Sequence, residues 1–79
     1  MLRVLHKNIP WRSMNGKPIQ LSIWFDGSVY HPLVETLDRG EVVSGKLLHS
    51  SAHLVRAVRG SEDWIQNNCF DNRNIGAFT

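Results

Sequence analysis

Two dipeptides, Asn15-Gly16 and Asp26-Gly27, constrain this chain more than any other feature of its sequence. Both are pairings that tolerate the positive φ angles of tight hairpin turns, and both are flanked by residues suited to strands. They predict an antiparallel meander whose middle strand runs from Lys17 to Phe25. That strand alternates cleanly, with Ile19, Leu21, Ile23 and Phe25 on one face and Gln20, Ser22 and Trp24 on the other. The first face is the expected core.

With Asp26-Gly27 as a two-residue turn, Phe25 falls opposite Ser28, Trp24 opposite Val29, Ile23 opposite Tyr30 and Ser22 opposite His31. This register carries Tyr30 and Val34 onto the core face. It gathers Trp24, Val29, His31 and Leu33 on the reverse face, an unusual amount of apolar surface for the side of a small sheet that meets water. Two details resist the pattern. Pro32 falls opposite Leu21 at a position that must donate a ladder hydrogen bond, so the third strand ends, bulges or forms an edge there. In addition, two ideal two-residue turns flanking Lys17–Phe25 would require the odd-numbered amides to face both neighbours at once. One turn must be irregular, and Pro18 points to Asn15-Gly16. Ile9 and Trp11 can then face either the core or the reverse side.

Beyond a turn at Asp38-Arg39-Gly40, residues 41–49 read as a fourth strand interrupted at Gly45, or as a strand followed by an early helix. Ser50 and Ser51 are good N-caps for a helix over Ala52–Arg59, with Leu54, Val55 and Val58 inward and Arg56 and Arg59 outward. Gly60 reads as its stop, and Ser61-Glu62-Asp63 as the cap of a short second helix carrying Trp64 and Ile65. Asn67, Asn68, Asn72 and Asn74 with Gly76 disfavour regular structure, so the remaining residues are expected to be irregular, with Phe70, Ile75 and Phe78 pinning this tail to the core.

Composition removes several classes of function. With 79 residues the chain is one domain, and a fold of this length hides about two-thirds of the surface its unfolded chain exposes, which argues against a deep substrate cavity. The longest apolar run, Ile23-Trp24-Phe25, is far short of the roughly 20 residues of a membrane span. Arg3, His6 and Lys7 interrupt the first residues, so no secretory leader is expected and the chain reads as cytoplasmic. One cysteine, Cys69, cannot form an internal disulfide and reads as a small buried apolar residue.

Charge is distributed in blocks. Residues 1–25 hold Arg3, Lys7, Arg12 and Lys17 with no acid, residues 26–41 are net acidic, Lys46, Arg56 and Arg59 make residues 42–60 basic, and the remainder is acidic again. The basic blocks merge into one patch only if the first strand and the helix lie together.

Chemical motifs are sparse. His49 and His53 are spaced i, i+4, but a cap at Ser50 leaves His49 outside the helix, and no third ligand stands at a persuasive spacing, so no metal or cofactor is expected. No nucleophile, carboxylate pair or glycine loop forms a recognisable catalytic set, and no enzymatic activity is expected. Two binding readings remain. Sheet aromatics with Arg3, Lys7, Arg12, Lys17, Arg56 and Arg59 would suit unpaired nucleic acid. Trp24, Val29, His31 and Leu33, rimmed by charges of both signs, have the make-up of a protein interface. The second reading leads: an α+β domain over residues 1–79, with a three- to four-stranded antiparallel meander followed by one main helix and a short second helix on one face. It acts without catalysis, as a regulator or as an inhibitor of the kind phages and bacteria encode. Its partner is a protein or larger complex that it blocks sterically, with a homodimer as a further form and no membrane.

Overall fold

The computed structural model describes residues 1–72 and shows an α+β domain. The elements are β1 (Leu2–Met14), β2 (Lys17–Phe25), β3 (Tyr30–Asp38), β4 (Glu41–Leu47), α1 (Leu54–Asn68) and β5 (Phe70–Asp71). The strands form one curled antiparallel sheet in the order β4-β3-β2-β1-β5. The helix covers one face. Five strands therefore replace the expected three or four, because two residues after the helix return to pair with Arg12 and Ser13 at the edge of β1.

The two hairpin turns exchange the roles the sequence suggests. Asn15-Gly16 is the regular one: Met14 pairs with Lys17, and both turn residues take positive φ, at 54° and 76°. The second turn slides by one residue. Its centre is Gly27-Ser28, closed by a hydrogen bond from Asp26 N to Val29 O, so Phe25 pairs with Tyr30, Trp24 with His31 and Ile23 with Pro32. A one-residue slide moves the register by two, which keeps every side chain on its expected face but changes each partner. It also removes the parity conflict, because even-numbered amides of β2 now serve β3 while odd-numbered ones serve β1. Pro32 ceases to be a defect: Tyr30 bonds Ser51 through its main chain and Pro32 O accepts from Leu48 N, so these residues turn away from β2.

The irregularity lies within β1. Ile9 pairs with Ile19, and the next pair in register is Ser13 with Pro18, so the ladder shifts across Pro10, Trp11 and Arg12. This bulge decides the open question about the strand's faces. Ile9 enters the core, whereas Trp11 lines a depression beside Glu62, Ile65 and Gln66 on the helix side.

The core consists of Ile9, Ile19, Leu21, Ile23, Val34, Ala57, Ile65 and Cys69, with Leu5, Met14, Tyr30, Leu48, Val58 and Trp64 packed around it. Two helices expected from the sequence are one. Neither Ser50 nor Ser51 is the N-cap: Ser50 Oγ bonds His31, and the Ser51 main chain pairs with Tyr30 while its Oγ accepts from the amide of His53, the residue that does stand at the cap. The helix begins only at Leu54 and runs through Gly60 and Ser61. Ser61 Oγ donates to Ala57 O within the helix, so its hydroxyl is satisfied and buried. Small residues at 57 and 61 let the helix approach the sheet, and the buried stripe becomes Ala57, Ser61 and Ile65. Leu54 and Val55, expected inside, are exposed. Phe70 is also exposed, and Ile75 and Phe78 lie outside the described residues.

Gly60 distinguishes a continuous helix from two. No heavy atom lies within 4 Å of where its Cβ would stand, and its φ is not in the left-handed region. Gly60→Ala is expected to stabilise the fold by about 1 kcal/mol, the interior helix difference between the two residues. Denaturant unfolding measures this, and destabilisation would indicate the helix stop that the sequence suggests.

Candidate interaction face

The sheet surface away from the helix holds the candidate site. Cross-strand pairing places Arg3, His6, Gln20, Ser22, Trp24, His31, Leu33 and Glu35 together on it. At its centre a polar network joins three strands. His6 Nε2 meets Gln20 Oε1 at 2.8 Å, Gln20 Nε2 donates to Glu35 Oε1 at 3.2 Å, and Ser22 Oγ donates to the same carboxylate oxygen at 3.2 Å. Ser22 is 0% exposed although no helix lies over it, because the curl of the sheet and its larger neighbours close around it. The network holds β1, β2 and β3 to one register through side chains as well as main chain. Sequence alternation marks Gln20 and Ser22 as facing this way but gives no sign that they are buried.

Toward the Asp26 turn the face becomes apolar. Met1, Trp24, His31, Leu33 and Leu47 line an open depression of about 430 Å³. The Arg3 guanidinium sits 5.8 Å from the Trp24 ring centroid, within reach of a cation–π contact. Gly45 lets Leu33 lie flat: a Cβ there would stand 3.2 Å from Leu33 Cδ1. Of the four residues read as a partner-binding set, the structure brings Trp24, His31 and Leu33 together. Val29 does not join them, because the slid turn places it in the loop and sets His31 opposite Trp24. Sequence reasoning misses Met1 and Leu47. Leu47 belongs to a strand whose extent the sequence leaves open, and no periodicity relates Met1 to it.

His31 is held from both sides. Its Nδ1 lies 2.8 Å from Ser50 Oγ and its Nε2 2.7 Å from Asp26 Oδ2. Asp26 Oδ1 accepts from the Ser28 and Val29 amides, each at 2.8 Å. The His31 bond, followed by those from Val29 and Ser28, holds the Asp26 carboxyl well below the usual carboxylate range. One exposed carboxylate thus fixes the turn and orients the imidazole beside Trp24.

The basic residues form no single patch. Arg3 lies on the face away from the helix, while Lys7 lies on the helix side, opposite Leu21. Arg12 is committed to structure: its guanidinium donates to Gln66 O and Cys69 O at 3.4 Å and pairs with Asp71 at 3.5 Å, clamping the helix end to β1 and β5. Lys17 pairs with Asp38 at 3.3 Å. Arg56 and Arg59 are exposed on the helix. Beside Arg12, burial pushes the Cys69 thiol up despite the nearby guanidinium, which suits a packing role. His53 is the helix N-cap residue and His49 precedes it. Among the described residues no three histidine, cysteine or acidic side chains converge on a common point, and no helix is long and apolar enough to cross a membrane.

Fold and site together define a small α+β domain with a helix-backed sheet whose open face is aromatic at one end and polar at its centre. Compared with protein-family models, curated proteins and solved structures, the chain matches none.

The Asp26 clasp has a pH signature. Because its carboxyl titrates lower in the folded protein than in the unfolded chain, its stabilisation is full above the ordinary carboxylate range near pH 4. That stabilisation is lost as pH falls through the lower folded value. Asp26→Ala is expected to lower the melting temperature at pH 7 and to have progressively less effect at pH 3 and below. Carboxyl resonances followed by NMR should show Asp26 still ionised at pH 3; an ordinary titration midpoint contradicts the clasp.

Proposed function

We propose that this protein is a non-enzymatic binding module whose sheet face away from the helix docks on another protein and acts by occlusion, as a regulator or inhibitor of a larger assembly. The observation that carries this reading is the depression between Met1, Trp24, His31, Leu33 and Leu47. It combines an aromatic anchor, aliphatic neighbours and a rim of both signs from Arg3 and Asp26, the composition that concentrates binding energy in protein interfaces. Two further features support it. The face is preorganised by the His6–Gln20–Glu35–Ser22 network and by the His31–Asp26 bond, which lowers the entropy lost on docking. It is also open and shallow, suited to a protruding side chain or helix more than to a small substrate.

Protein docking ranks ahead of nucleic-acid binding because Arg12 and Lys17 are engaged in ion pairs and the other basic residues are dispersed over both faces. A nucleic-acid groove needs its cations aligned along the stacking surface.

Affinity capture from the native host, comparing the natural chain with Trp24→Ala and with Leu33→Ala, tests the proposal. A specific protein retained by the natural chain and lost by at least tenfold with Trp24→Ala, while circular dichroism shows the variant folded, is the expected result. Retention of nucleic acid alone, weakening as salt rises, would replace this reading with the alternative. If Trp24→Ala instead costs about 3 to 5 kcal/mol of stability, the tryptophan is a core residue and the face is not an interface.

A further inference from the structure

We propose that β4 is a dimerisation edge that pairs antiparallel, across a two-fold axis, with the same strand of a second copy. β4 is the last strand of the sheet and bonds only to β3, and all of its residues, Glu41–Leu47, are exposed. Ser44 and Lys46 pair with Thr36 and Val34, and Leu48 N donates to Pro32 O, so the main-chain groups of these even-numbered residues face β3. Those of Gly45 and Leu47 consequently point outward, where no strand among the described residues meets them. Such an edge templates another strand unless something prevents it.

Charge distinguishes the two edges of the sheet. Along β1 the exposed stretch before the bulge carries Arg3 and Lys7 and no acid, so a self-paired copy would set base against base. β4 carries Glu41 at its start and Lys46 near its end. Glu41 pairs with Asp38 and Lys46 with Val34, even-numbered residues of β3, which puts both side chains on the helix side of the sheet. β4 also holds one extra residue, Val43, between the Thr36–Ser44 and Leu37–Val42 pairs. With the axis at Ser44 and this bulged residue counted out, Glu41 of one copy stands opposite Lys46 of the other, twice over. A parallel arrangement would instead bring like charges together.

On the reverse face the same register sets Val42 opposite Gly45 of the second copy. Val42 is 50% exposed, and Gly45 offers no side chain but the flank of Leu33, already lying across it. Valine over glycine and leucine fills space that a larger residue at 45 would block. The strand is too short to bury the roughly 1,600 Å² of a standard interface, so the dimer forms with rising concentration. Leu33 and Leu47 border both this edge and the docking depression, but Trp24 lies on β2, beyond β3 from the edge, so Trp24→Ala tests docking without touching the strand pairing.

Sedimentation equilibrium from about 1 μM to about 1 mM at low salt tests the inference. The natural chain is expected to pass from 9.0 kDa to twice that mass. Glu41→Lys and Lys46→Glu each weaken association about tenfold by creating two like-charge pairs, and E41K/K46E restores it. All three variants keep the far-ultraviolet spectrum of the natural chain, since both residues are exposed, and Trp24→Ala leaves the dimer unchanged. A monomer at every concentration, or a dimer indifferent to these reversals, overturns the assignment.

Discussion

The Asp26 carboxylate, bonded to two amides of its own turn and to His31, is the contact on which the rest of the structure depends. It selects Gly27-Ser28 as the centre of the second hairpin, and that choice sets every pair between β2 and β3. This register produces the His31–Trp24 pairing, the harmless position of Pro32, and the alignment of Gln20 and Ser22 with Glu35. A two-residue turn centred one residue earlier would leave Pro32 facing β2 with no proton to donate. It would also return the parity conflict between the two hairpins.

A second constraint is thinness. The molecule spans 46 × 24 × 15 Å, one sheet with one helix behind it, so only one face of the sheet has a hydrophobic cover. The uncovered face manages its burial differently. Ser22 and Gln20, enclosed by curl, find hydrogen-bond partners in Glu35 and His6, and no buried polar side-chain atom among the described residues is left without one. The apolar residues of that face collect at one end, around Trp24. Division of the face into a satisfied polar centre and an unsatisfied apolar end is what makes it a candidate docking surface.

Much of this fold is legible in the sequence, and the failures have physical causes. Alternation in Lys17–Phe25 names the core face correctly, because period two is a property of the strand itself. The pairing register is misread from sequence because Asp-Gly is normally the centre of such a turn, whereas here the aspartate is more valuable as an acceptor one position earlier. Gly60 and Ser61 look like a helix boundary; packing against the sheet favours small residues there and overrides local propensity. Leu54 and Val55 are the first two residues of the helix and are exposed, and the buried stripe runs along Ala57, Ser61 and Ile65 instead. Arg12 reads as one of the free basic residues because its partners, Gln66, Cys69 and Asp71, lie more than fifty positions away.

Both the interaction face and the Asp26 clasp rest on the β2–β3 register, and proton NMR reads it directly. In this structure Phe25–Tyr30 and Ile23–Pro32 are the pairs whose main-chain bonds point away from each other, which brings their α protons close. Strong Hα–Hα cross-peaks are therefore expected between Ile23 and Pro32 and between Phe25 and Tyr30. Cross-peaks of that kind between Trp24 and Val29, or between Ser22 and His31, would contradict the register and with it the site.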